Sequence, residues 1–292
     1  MAMLLQTQYL SIGDIKIKLW SKSDITLGVE IGFKSFVIHE NIIDSFYDIE
    51  IIPSIPQELK NTDSLVFESN DGSQKLWNVC TIPNGYKIIA FDSYQSDTIQ
   101  QIAFIYPNSK SWIIYTELDS DKTALPLSYP MGPLIMYYLT TVQNAIMIHS
   151  SGIVDGEKGR LFSGFSGVGK STMAGIWQQN GNIAINDDRL MLTISDDKIF
   201  MHNTPMFYDD KPKMHQLNAI YLLKQTKEHT IRRLSDAEAI SRLLAFCIQH
   251  SYDKTFLEHH LKMVFDIYNL IPIYELGFKL NSDVIDFIRS HE

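Results

Sequence analysis

The sequence predicts a chain of two parts in the α+β and α/β classes. Residues 1–125 are expected to form an antiparallel β domain, and residues 126–292 an α/β core built around a glycine-rich loop. Three observations carry this. Turn dipeptides punctuate short alternating runs in the first part. Strand-like and helix-like patterns alternate after Thr123. Gly164–Ser171 also falls between an apolar strand and a helix.

In the first part, Ile12–Trp20 alternates, with Ile15, Ile17 and Leu19 on one face. Asn70-Asp71-Gly72 separates Ser64–Glu68 from Lys75–Cys80, and Pro83-Asn84-Gly85 precedes Lys87–Phe91. Pro107-Asn108-Ser109 separates Ile102–Tyr106 from Ser111–Glu117. Such local connections predict a meandering antiparallel sheet.

Pro126 and Pro130 open the second part, and Leu134–Leu139 reads as a helix core. Ala145–His149 and Arg160–Phe162 read as strands with a turn at Asp155-Gly156, and Ser171–Gln179 as a helix stopped by Gly181. Strands follow at Ile183–Asn186, Arg189–Ile194, Ile199–His202 and Ala219–Leu223, with Ser195-Asp196-Asp197 as a turn. Ser235 and Glu238 spell a capping box for a helix that buries Ile240, Leu243, Leu244 and Cys247. Lys254–Tyr268 is a helix, Pro272–Phe278 a strand and Ser282–Arg289 a closing helix.

Composition excludes several classes. The chain has 292 residues, 45% hydrophobic, with 25 Lys+Arg against 34 Asp+Glu and a formal charge of −9. An acidic chain lacks the cationic surplus of a nucleic-acid binder. The most apolar stretch, Met131–His149, is interrupted by Thr140, Thr141, Gln143 and Asn144, so no membrane span is expected. Met1–Gln6 has no basic n-region, so no signal peptide is expected there. Cys80 and Cys247 are read as buried thiols, and the chain as cytoplasmic.

Gly164-Phe165-Ser166-Gly167-Val168-Gly169-Lys170-Ser171 fits the Walker A phosphate-loop pattern at every fixed position. Glycines let successive amides converge on an anion, and the helix N-terminus adds positive potential. Lys170 can reach the outer phosphates and the Ser171 hydroxyl can ligate Mg²⁺. Asp187-Asp188 stands 17 positions after Lys170, at the end of the next strand. Carboxylates there can hold Mg²⁺ or take the proton of an acceptor hydroxyl, and their mutual repulsion should raise the proton affinity of one. His149 ends the neighbouring strand, at the same end of the sheet. His250, His259 and His260 lack ligand spacing for a metal. Arg232-Arg233 is read as a solvated edge with a weaker alternative role at a transferred phosphate, and Trp177 as a core residue.

His149-Ser150-Ser151-Gly152, Gly164–Ser171 and Asn186-Asp187-Asp188-Arg189 resemble the catalytic region of the HPr serine kinase/phosphorylase group. That group shares its fold with the ATP-dependent phosphoenolpyruvate carboxykinases. The match is nearest to HPr-kinase-related proteins of peptide-modification clusters, whose substrates include serines of small peptides. It spans about Ser128 to Phe278. The resemblance implies a P-loop kinase core that uses ATP or another nucleoside triphosphate with Mg²⁺. It implies nucleotide contacts from Gly164, Ser166, Gly167, Val168, Gly169, Lys170, Ser171 and Thr172, and metal support from Ser171 and Asp188. Asp187 is implied as the base, with His149 and Lys170 at the transferred phosphate. The acceptor would be a hydroxyl of a peptide, protein or small molecule, and a homo-oligomer is allowed, since such proteins often assemble. Leu190–Thr204 stands where the group has an acidic-Arg-Gly stretch, so the likeness does not extend to recognition of HPr or to the phosphorylase reaction. Asn203–Phe207 is similar to a Thr-Pro loop of the peptide-cluster proteins, which implies that Thr204 faces the site. Carboxykinase-type transfer and a nucleotide-dependent peptide-binding module are the alternatives.

Overall fold

The structure is a computed structural model that describes residues 6–39, 46–92 and 97–291. Met1–Leu5, from which the absence of a signal peptide is read, lie outside the described residues. The chain divides into two compact units, one reaching Val142 and including Pro205–Lys211, the other made of the remainder.

The first unit contains β1 (Gln6–Ile12), β2 (Ile15–Ser21), β3 (Thr26–Leu27), β4 (Val37–Ile38), β5 (Tyr47–Pro53), β6 (Leu65–Asp71), β7 (Gln74–Ile82), β8 (Gly85–Phe91), β9 (Ile99–Ile105), β10 (Ser111–Thr116), β11 (Thr123–Ala124) and α1 (Met131–Val142). The sheet order is β4-β1-β2-β5-β10-β9-β8-β7-β6. The hairpins form at Gly72-Ser73, one residue beyond Asn70-Asp71, and at Pro83-Asn84. The sheet is not a pure antiparallel meander, however. β5 lies parallel to both β2 and β10, because long connections rather than tight turns bring it between them. Ile12–Trp20 is also not one strand: Gly13, at φ 55°, turns β1 into β2. Residues 126–142, assigned by the turn signals to the second part, group with the first. Tyr138 of α1 packs its ring 5.7 Å from that of Tyr86, and Gly132 lies against Leu127 and Phe33.

The second unit contains β12 (Ile146–Asp155), β13 (Lys158–Ser163), α2 (Lys170–Gln179), β14 (Ile183–Asn186), β15 (Arg189–Ser195), β16 (Lys198–Asn203), β17 (Met214–Leu217), β18 (Ala219–Gln225), β19 (Thr230–Arg233), α3 (Asp236–Leu244), α4 (Lys254–Leu270), β20 (Ile273–Phe278) and α5 (Asp283–Ser290). Its sheet runs β17-β16-β15-β12-β13-β18-β20-β19, with β14 also paired to β12. β13, β18 and β20 are parallel, and their C-terminal ends share one edge. One core cluster gathers Phe162, Met173, Trp177, Tyr221, Phe278 and Ile288 beneath α2 and α5. Another gathers Leu161, Leu192, Leu222, Leu243, Val264 and Ile267 beneath α3 and α4. Removing such side chains from water is what holds the helices to the sheet.

Two sequence expectations need correction here. β12 does not end at His149 but runs on to Asp155. The capping box does not form. Ser235 makes no side-chain cap, and Glu238 turns instead to Arg232 and Arg242 at 2.7 and 3.2 Å. α3 ends at Leu244, and Cys247 lies beyond it. Both cysteines are buried free thiols, as expected. Among the described residues no helix is long and apolar enough to cross a membrane.

Candidate active site

β13 runs buried from Gly159 to Ser163, and the chain then loops through Gly164–Gly169 into α2. Gly169 stands at the helix N-cap with φ 107°, in the left-handed region that L side chains avoid. A Cβ there would lie 3.0 Å from the Phe278 ring. No side chain caps α2, so its first amides are left available to an anion. Lys170 curls back over the loop. Its Nζ donates to the Gly164 carbonyl at 2.9 Å and the Phe165 carbonyl at 3.2 Å. Burial holds the lysine below its usual pKa, opposed by the charge of Asp188. Gln225, at the end of β18, braces the loop from outside through the Gly167 carbonyl at 3.3 Å.

The two aspartates sit where one edge of β12 changes partner. β14 pairs with β12 at Gly152–Val154 and β15 pairs with it at Ile146–His149, leaving Asp187-Asp188 in the gap. Backbone bonds fix this gap: Ser150 N–H donates to the Asp188 carbonyl at 3.0 Å, and Asp188 N–H donates to Asn186 Oδ1 at 3.0 Å. Because β12 is antiparallel to β13, pairing Ser150 with Ser163, His149 reaches the loop end from early in its strand. The Ser171 hydroxyl lies 3.5 Å from the Asp187 carbonyl, which sets the first turn of α2 beside the acidic pair.

The carboxylates differ in their surroundings. Asp188 accepts from Arg189 Nε at 2.8 Å on one oxygen and faces His149 Nδ1 at 3.5 Å on the other. The His149 bond above all, then Arg189, outweigh burial and hold its pKa at about 2. The upward shift expected from carboxylate repulsion is therefore not found at Asp188. The Asp187 side chain is exposed toward solvent.

A third wall was hidden from the sequence. After α3 the chain returns along β12 just where β13 has departed into the loop. His149 N–H donates to the Phe246 carbonyl at 3.0 Å, Cys247 bridges Ile148, and Ile248 N–H donates to the Met147 carbonyl at 2.8 Å. The Phe246 ring meets that of Phe165 edge-on, with centroids 5.1 Å apart. The sequence pattern that starts at Ser235 extends the helix as far as Cys247 and so takes in Phe246. No motif marks it, and only the pairing on β12 reveals it.

These walls enclose an open cavity of about 590 Å³. His149, Gly164, Ser166, Gly167, Gly169, Lys170, Ser171, Thr172, Asp187 and Asp188 line it, joined by Phe165, Ala245, Phe246 and Cys247. Val168 does not line it, since its side chain packs against the core under α2. Thr204 is also buried outside the lining, and its hydroxyl donates to the Arg189 carbonyl at 3.1 Å. Arg232 lies on edge strand β19, bound to Glu238 at 2.7 and 2.9 Å, which accounts for it structurally. Among the described residues no group of three or more His, Cys, Asp or Glu is placed to hold a metal. The oxygen donors Ser171 and Asp188 fit the other way of holding Mg²⁺, with few protein ligands and the rest from phosphate and water.

No family model matches the sequence, and no curated protein matches it. Among solved structures, the HPr(Ser) kinase/phosphatase from Coxiella burnetii is similar over 50% of this chain and 95% of its own, at 11% identity and a TM-score of 0.31. An overlap that loose carries no argument for this chain's activity.

Proposed function

We propose that the second unit binds a nucleoside triphosphate with Mg²⁺ on the Gly164–Ser171 loop and transfers its outer phosphoryl group to a hydroxyl. The acceptor is a serine-type hydroxyl of a peptide, protein or small molecule. The observation that carries this reading is one cavity shared by the Lys170 ammonium, the uncapped start of α2 and two aspartates.

In this reading the loop amides and α2 hold the inner phosphates, and Lys170 leaves the loop carbonyls for the outer ones. Ser171 holds Mg²⁺, with Asp188 acting through water because its oxygens already face Arg189 and His149. Bound Mg²⁺ supplies neutralisation of phosphate charge. Asp187 takes the hydroxyl proton as the acceptor oxygen bonds to the outer phosphorus and the bridging oxygen departs with the diphosphate. Asp188 orients His149 toward the same end of the cavity.

The test is incubation with γ-labelled ATP, Mg²⁺ and serine peptides. Labelled phosphopeptide is the expected product. No label transferred to any hydroxyl acceptor, with ATP bound, would contradict the reading.

A further inference from the structure

The loop pattern leaves the position of Phe165 free, yet the residue there is a phenylalanine 73% exposed at the cavity. Its main chain is held rather than loose. The Phe165 carbonyl accepts from Lys170 Nζ at 3.2 Å and from Val168 N–H at 3.2 Å. The partner ring, Phe246, is fixed through its own carbonyl to His149 on β12. An aromatic corner is thus anchored on one side to the lysine and on the other to the histidine.

Its place along the loop assigns its occupant. The lysine of such a loop reaches the outer phosphates, and here the Lys170 ammonium sits against the Gly164 and Phe165 carbonyls, so the outer phosphate belongs at the loop's beginning and the inner ones toward the start of α2. Phe165 and Phe246 therefore flank the acceptor end and not the nucleobase end. Two carboxylates, Asp187 and Asp188, line the same cavity and repel an anionic acceptor. We infer that Phe165 and Phe246 select a peptide acceptor whose serine lies between apolar side chains, which cover the exposed rings as the hydroxyl approaches Asp187. This inference rests on the phosphoryl-transfer reading above.

The test uses Mg·ATP with three short peptides, carrying serine between leucines, between glutamates and between lysines. Because the Phe165 side chain is exposed, Phe165→Ala should leave the fold intact, and Phe246→Leu provides a milder second variant. The leucine peptide should react with a kcat/KM at least ~10-fold above the other two. Phe165→Ala should raise its KM by ~10-fold and change the KM for Mg·ATP much less. Equal or reversed peptide preference overturns the inference. So does a larger effect of Phe165→Ala on the ATP KM than on the peptide KM, which would make the rings a nucleobase shelf. Mg·ATP binding without phosphorylation of the leucine peptide also overturns it while leaving hydroxyl transfer open. Absence of Mg·ATP binding removes both readings together.

Discussion

Lys170 turns its ammonium onto the Gly164 carbonyl, 2.9 Å away, at the beginning of the loop whose end it occupies. The contact closes the loop into a ring of backbone dipoles with the Lys170 ammonium across it. Neutral carbonyls are weaker partners for an ammonium than phosphate oxygens. An anion seated on the α2 amides can therefore draw the lysine away at little cost.

The ring depends on Gly169. Gly169→Ala would force an L side chain to φ 107° and press its Cβ toward Phe278. A loss of roughly 1–2 kcal/mol is expected, together with weaker nucleotide binding. Urea unfolding and nucleotide titration of the variant check both.

Asp187→Asn removes the acceptor for the proton but leaves the loop untouched. Nucleotide affinity should stay close to that of the parent, while transfer falls ~10²–10⁴-fold. Full turnover in this variant would show that the base lies elsewhere.

Asp188 should titrate near pH 2, as followed by the carbon NMR signal of its carboxyl. His149→Ala should move that midpoint up toward the ordinary carboxylate value, with Arg189 still holding it partly down. Because the folded value is depressed, the stabilisation is complete above about pH 4 and fades as pH falls toward 2. The pair is partly exposed, so the gain is under ~1 kcal/mol. Thermal melts of Asp188→Asn and the parent should converge in acid.

Arg160 is 1% exposed, bound to Asp155 at 2.8 Å and set over the Trp177 ring. Asp155 also receives Arg289 from α5 at 2.8 and 3.0 Å. Asp155→Asn takes the Asp155 charge away from a buried guanidinium and should destabilise the unit by about 3 kcal/mol. Arg289→Ala, which removes only the more exposed arm, should cost less. The two urea midpoints decide the order.

What the sequence made legible was local. Turn residues such as Asn84 and Gly72 mark their hairpins because φ > 0 restricts which residues fit there. The loop and the acidic pair were legible because their chemistry imposes spacing. Parallel insertion of β5 was not, since pairing between distant strands leaves no mark in the residues between. Phe246 was missed for a related reason. It enters the cavity by pairing beside His149, while its own neighbours carry a helical pattern that stops at Leu244. Ser235 and Glu238 misled because Arg232 and Arg242 offer Glu238 stronger partners than a backbone amide.

The most direct measurement is calorimetric titration of Mg·ATP into the protein and into Lys170→Ala. One saturable site is predicted for the parent, weakened at least ~10-fold when the ammonium is removed. Heat-silent mixing with the parent, or equal affinity in the two proteins, would show that the curled loop is not a seat for polyphosphate.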